Sequence, residues 1–198
     1  VINRLSASDL QEQEVLANCE INIIQVQDTV AYPNYQSELT YLTTNEDRID
    51  YLAGLFKDIA KDGNTLILVD RIKAGKMLQE RLGDESVFIS GSVKSTDRRE
   101  QYNKIQDSDN KIIVATYGVA SVGINIPRIF NLVLVEPGKS FIRVIQSIGR
   151  GIRKAQDKDF VKVWDITSSA KFSKRHLTKR KKFYADAKYP FTIQKVTI

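Results

Sequence analysis

Three short runs, apolar at nearly every position, constrain this chain more than any other feature: Thr65–Val69 (TLILV), Lys111–Thr116 (KIIVAT) and Asn131–Glu136 (NLVLVE). A strand with one face in water alternates apolar and polar side chains, so a continuously apolar strand needs cover on both faces. Phe160–Ile166 (FVKVWDI) and Val87–Ser90 (VFIS) read as further strands, and Ile72–Leu82 and Thr96–Ile105 between them read as helices. Strands alternating with helices specify an α/β fold, a parallel sheet with helices on both faces.

Upstream, Asn45 is placed to cap a helix over Glu46–Lys61, whose Ile49, Leu52, Phe56 and Ile59 share one face and which Asp62-Gly63-Asn64 ends. Ser8–Ala17 reads as a short helix and Ile21–Gln27 (INIIQVQ) as an extended run. Residues 28–44 mix turn formers with tyrosines and give no assignable element. Thr116–Pro127 reads as irregular, and Thr192–Thr197 as a final strand. The division expected is an N-terminal extension over 1–44, a sheet domain over 45–170 and a basic tail over 171–198, packed on the domain or extending from it.

Composition removes several function classes. Of the 198 residues, 42% are apolar and 27% charged, which suits a soluble globular domain. No apolar run approaches the ~20 residues of a membrane span, and no signal peptide is visible, so no membrane partner and a cytoplasmic location are expected. Cys19 is the only cysteine, which rules out an internal disulfide and a cysteine zinc cluster. The chain begins at Val1 and its only methionine is Met77, so a piece of a longer protein is expected.

Charge is unevenly spread. Residues 139–182 hold 14 of the 30 Lys and Arg but 3 of the 24 Asp and Glu, so the chain's net +6 hides a local excess of +11. Such polarity suits a polyanionic partner. Within it, Ser140–Lys154 (SFIRVIQSIGRGIRK) reads as an amphipathic helix capped by Ser140. Phe141, Ile145, Ile148 and Ile152 fall in one sector, and Arg143, Gln146, Arg150 and Arg153 in the opposite one. Guanidinium forks one turn apart suit the terminal phosphate of a nucleotide. A solvated basic face is the plainer reading, against which stand Gly149 and Gly151, costly in a helix unless backbone must come close to a partner. The basic tail Lys171–Lys182 is open in the same way, between a solvated helix with its aromatics tucked in and a nucleic-acid contact. Trp164 reads as a packing residue and His176 as a surface one.

A triphosphate also needs a phosphate loop and a magnesium site. Gly118 and Gly123 have the offset of such a loop, but Ile124 and Asn125 stand where Lys and Ser/Thr would be required. No acidic pair closes an apolar strand, so no metal-ligating residues are assigned. The chain has arginines for a phosphoryl group without the machinery to hold it, as half of a site completed elsewhere would.

QSIGRGIR at 146–153 resembles motif VI of superfamily 2 helicases, ATYGVASVGINIP at 115–127 is similar to motif V, TLILVDR at 65–71 to motif IV, and FISGSVKSTDRRE at 88–100 to the strand, Gly and basic helix that follow. The wording is most similar to UvsW-type phage recombination and repair helicases. The resemblance implies a RecA-like fold, the C-terminal lobe of a two-lobe DNA helicase. It implies that Arg150 and Arg153 act as arginine fingers on ATP, that Gln146, Gly123 and Asn125 contact the nucleotide, and that Thr116, Gly91 and Arg71 contact the nucleic-acid backbone. Asn125 departs from the Asp of many relatives. ATP and Mg2+ would be held mainly by an N-terminal lobe of the same chain, the partners being that lobe and DNA, duplex or branched. If phage-encoded, the protein would work in the host cytoplasm. Two other readings share the residues: a RecA-like nucleic-acid-binding module without catalysis, and an arginine-finger domain acting on a separate ATPase.

Overall fold

The apolar runs become strands because both sets of their side chains find a core. The computed structural model describes residues 18–89, 110–121, 129–138 and 160–198. Thr65–Val69 (β2), Ile112–Thr116 (β4) and Asn131–Val135 (β5) are buried at every position. Leu66, Leu68, Ile113, Ala115, Leu132 and Leu134 join the core on one face of the sheet. Ile67, Val69, Ile112, Val114, Val133 and Val135 join a second core on the other. Alternation along each strand thus divides one apolar run between two cores.

Asn18–Val26 (β1), Ser86–Ile89 (β3), Phe160–Ser168 (β6) and Phe191–Val196 (β7) complete a seven-stranded sheet of order β3-β4-β2-β5-β6-β1-β7, in which every described pair is parallel. The α-helices among the described residues are Tyr35–Thr44 (α1), Glu46–Ala60 (α2), Ile72–Leu82 (α3), Tyr117–Ser121 (α4) and Lys171–Asp186 (α5). Leu52, Phe56 and Ile59 of α2, with Leu78 and Leu82 of α3, close the second core. Val119 and Ala120 of α4, with Leu177 and Tyr184 of α5, close the first. Helices therefore cover both faces, as the apolar pattern requires. Helix α3 lies so close to β3 that a Cβ on Gly75 would stand 1.9 Å from the Phe88 ring.

Several readings of the sequence meet the structure directly. The Asn45 side chain accepts from the Arg48 N–H at 3.1 Å and starts α2 as expected. The unassigned stretch 28–44 contains α1, capped by Asn34 through the Ser37 N–H at 2.9 Å. Residues 117–121, expected to be irregular, form α4, whose first turn is capped by the Thr116 hydroxyl accepting from the Val119 N–H. Strand β1 lies inside the sheet between β6 and β7, so residues 18–26 and 191–196 belong to the same layer as β2–β6. Trp164 is half-buried beside the α2 core and its indole N–H donates to Asn131 Oδ1. Ser8–Ala17, Thr96–Ile105 and Ser140–Lys154 lie outside the described residues.

Helix α5 is not a uniformly solvated basic rod. Arg180 is 1% exposed and Asp165 on β6 is 0% exposed. The guanidinium donates through Nε and Nη2 to both Asp165 oxygens at 2.8 and 2.9 Å, and the Tyr184 hydroxyl donates to the same carboxylate at 2.7 Å. Removing one member of such a buried pair leaves the other charge uncompensated. Arg180→Ala should therefore lower unfolding free energy by about 3–5 kcal/mol in urea titrations. Lys179→Ala, one position away and exposed, should stay within about 0.5 kcal/mol of the parent.

Candidate functional site

In an open parallel sheet, ligands gather beyond the C-terminal strand ends where successive connections diverge. Here β2 leads toward β3 and β4 on one side while β5 leads to β6 on the other, so the divergence falls between β2 and β5. A cleft of about 970 Å³ opens there. Asp70 follows β2, Tyr117 follows β4, and Glu136 to Gly138 follow β5; α1 and the first turns of α5 form its walls.

The turn after β5 is sharp. Glu136 has φ 46° and Gly138 φ 63°, the former a left-handed conformation that a residue with a Cβ adopts only when its surroundings enforce it. The Glu136 N–H donates to Ile166 O at 2.8 Å. Gly138 leaves room for Tyr35, since a Cβ there would stand 2.9 Å from the Tyr35 hydroxyl oxygen.

Beneath the cleft lies a buried polar network centred on Arg48. Its Nη1 donates to both oxygens of Asp28 at 3.0 and 2.7 Å, its Nε donates to Leu42 O at 3.2 Å, and its Nη2 stands 3.6 Å from Glu136 Oε1. Glu38 of α1 accepts from the N–H groups of Phe172 and Ser173 at 3.0 and 2.9 Å, serving the first turn of α5. The Ser173 hydroxyl stands 2.8 Å from Glu136 Oε2 and 3.1 Å from Glu38 Oε2. One hydroxyl hydrogen cannot serve two carboxylates at once, so the arrangement favours a proton on Glu136. Burial pushes the Glu136 carboxyl up to about 7, against the opposing pull of Arg48 and the Ser173 hydrogen bond.

None of these carboxylates is spare. Asp28, Glu38 and Glu136 are all engaged, and among the described residues no group of three or more His, Cys, Asp or Glu could hold a metal ion.

Two of the site residues expected from the sequence are described. Arg71 follows β2, donating to Thr40 Oγ1 at 2.5 Å and Gln36 Oε1 at 2.8 Å and standing 3.4 Å from Asp70. Its guanidinium is thus held in place on the rim, with 37% of the side chain exposed. Thr116 ends β4, is nearly buried, and its hydroxyl accepts the Val119 N–H in the α4 cap while its own hydrogen is not used there. Gly91, Gly123, Asn125, Gln146, Arg150 and Arg153 lie outside the described residues.

The sequence did not single out Tyr35, and it placed His176 on the surface. The structure half-buries both, with ring centroids 4.6 Å apart, and Phe172 meets Tyr35 edge-on at 6.4 Å. The i, i+4 spacing of Phe172 and His176 on a helix was the available signal.

The chain matches the family model of the helicase conserved C-terminal domain over residues 47–155. It is 27% identical to the ATP-dependent DNA helicase uvsW of Enterobacteria phage T4, in an alignment covering all of this chain and 45% of that relative. The crystal structure of T4 UvsW superposes with a TM-score of 0.78 at 26% identity, covering 90% of this chain and 42% of that one. The C-terminal domain of the DEAD-box protein Dbp5 shares the fold, with a TM-score of 0.61, 18% identity and 92% of each chain covered. The chain spans less than half the length of the curated relatives it matches.

The buried Glu136 carboxyl has a signed consequence. Its folded-state proton affinity is raised, so the native chain binds the extra proton between about pH 4.5 and 7. Stability from this group is present in acid and lost as pH rises through that window. Glu136→Gln removes the dependence. From pH 5 to pH 8 the difference in unfolding free energy between variant and parent should move in favour of Gln by about 1–3 kcal/mol, read from urea titrations at the two pH values.

Proposed function

The chain belongs to the helicase conserved C-terminal domain family, and from that premise we propose that it is the second motor lobe of an ATP-dependent DNA helicase or translocase acting in recombination and repair, in the host cytoplasm of a phage infection. The observation that carries the reading is whole-chain similarity to a helicase whose remaining length this chain does not match. The engaged carboxylates of the described edge and the missing phosphate-loop residues agree with it, because a lobe of this kind completes a site that another lobe begins.

The work then divides as follows. ATP is the substrate, gripped with Mg2+ by the N-terminal lobe. Closure of the cleft between lobes brings Arg150 and Arg153 to the γ-phosphoryl group, where their forks meet the charge that develops as the bond breaks. In this reading Gln146 senses the nucleotide at the same interface, and Gly123 and Asn125 approach its ribose and phosphates. Arg71, Thr116 and Gly91 hold the nucleic-acid backbone on the lobe's own edge. Arg71 is already held by Thr40 and Gln36, so little side-chain entropy remains to be lost when a phosphate arrives. Opening and closing shift two backbone grips relative to each other, which advances the motor on DNA and supports unwinding or branch migration.

A finger that meets the γ-phosphoryl group mainly in the closed state stabilises the transition state more than bound ATP. In the protein carrying both lobes, Arg153→Ala should keep nucleotide affinity within a few-fold and lower DNA-stimulated kcat by roughly 10³ or more. Arg153→Lys should recover little, because an ammonium keeps charge but loses the planar fork. An Arg153→Ala protein that hydrolyses ATP at the parent rate would remove the finger role. The 198-residue chain alone should show no ATPase turnover.

A further inference from the structure

The cleft between β2 and β5 is not accounted for by the residues assigned to nucleotide or backbone contact. Its chemistry is layered. The buried end carries Glu136, the wall carries the Tyr35 and His176 rings, and the outer edge carries Arg175 and Lys179, with Asp70 exposed on the rim beside Arg71. Both cations are exposed on α5, and Arg175 stands 5.7 Å over the Phe172 ring.

This layering orients a ligand. The Glu136 carboxyl at the buried end offers a phosphate or an acidic side chain nothing to pair with, while cations at the mouth attract one there. Aromatic rings between them favour a flat, uncharged group. A cleft of about 970 Å³ lies at the upper end of the range for small-ligand pockets and has room for a nucleoside. A nucleobase carried on a phosphate chain meets all three requirements, with base inward and phosphate outward. An acidic peptide does not, because its charge sits on the groups that would have to enter.

We propose that this cleft takes one unpaired nucleobase of a strand lying along the lobe's edge, the base packing against Tyr35 and His176 while Arg175 and Lys179 meet the flanking phosphates. The inference rests on the motor-lobe reading for its strand and adds a contact to a base where that reading had contacts only to backbone. Stacking of this kind accepts every base, because each has a π-face, and so suits a motor that moves through any sequence. Arg71, fixed beside Asp70 on the rim, marks where the backbone passes.

The test uses the 198-residue chain and a thymidine oligonucleotide carrying a single 2-aminopurine, whose fluorescence falls on stacking, with anisotropy to follow binding. Binding by the parent should quench the probe. Tyr35→Leu keeps an apolar side chain against α5 but removes the π-face; it should abolish the quench and weaken binding about 5–100-fold. Lys179→Gln, on an exposed position, should keep the quench and reduce the log–log salt slope by about 1. Circular dichroism and urea midpoints close to the parent's show that each variant is folded, and His176→Leu provides a second variant on the same wall should Tyr35→Leu unfold.

Equal quench and affinity in the parent and in both wall variants would overturn the proposal. So would adenosine monophosphate binding as tightly as the oligonucleotide, which would make the cleft a free-nucleotide site. Salt-dependent oligonucleotide binding without a wall effect would discard the base pocket while leaving the motor-lobe reading intact. That reading fails separately, on the Arg153→Ala ATPase.

Discussion

The fold's C-terminal edge depends on one ion pair that neither partner could survive without. Asp165 and Arg180 are almost wholly out of water, in a setting where an isolated charge would cost several kcal/mol. Together, with both carboxylate oxygens taken by the guanidinium and one also by Tyr184, they are tolerated. The pair fixes the rotation of α5 about its axis. With Arg180 turned to β6, Ser173, Leu177 and Tyr184 on the same face go inward, and Lys171, Lys174, Arg175, Lys179 and Lys182 stay outside. A helix whose sequence reads as a basic block is therefore divided by a single buried arginine into a structural face and a cationic one.

Arg48 does the same for the other side of the edge. It gathers the carboxylate after β1, a carbonyl near the end of α1 and the carboxylate after β5, so three segments distant in sequence share one guanidinium. Glu38 extends the network to the first turn of α5. The arrangement has a functional corollary. The carboxylates of Asp28, Glu38 and Glu136 are committed to holding helices and turns, which leaves positive groups, aromatic rings and the exposed Asp70 as the edge's outward chemistry.

Legibility from sequence followed the range of the interactions. The strand TLILV, the Asn45 cap and the helix Ile72–Leu82 are specified by neighbours within a turn or two, and all three stand where the sequence places them. Helix α1 was not legible because two of its four buried residues, Glu38 and Thr43, are polar, and Glu38 takes its hydrogen bonds from residues 134 and 135 positions later. Arg180 sits in a run of lysines and arginines with nothing local to mark it as the buried one. Thr116 and Arg71 were placed correctly at strand ends. Their side chains, however, also answer to partners the sequence does not show: a helix N–H for the first, Thr40 and Gln36 for the second.

The two networks meet at the turn after β5. Glu136 is held by Ser173, by Arg48 and through its N–H by Ile166, while the carbonyl of Gly138 accepts from Arg180 at 3.4 Å. Left-handed backbone at Glu136 costs on the order of 1–3 kcal/mol, and these contacts are what sustain it. Residue 138 is also the last described position before the segment bearing Gln146, Arg150 and Arg153. Under the proposed function, those arginines must meet a phosphoryl group on another lobe, where a misplacement of about 1 Å can cost on the order of 100-fold in rate. A strained turn clamped on both sides is a rigid root for such a segment. A loose turn would let the arginines search and lose part of their effect to entropy. The energy spent on buried charges at residues 48, 136, 165 and 180 then serves placement as much as stability, which gives a physical reason for a costly network to stand at this corner of the sheet and not at the opposite ends of the strands.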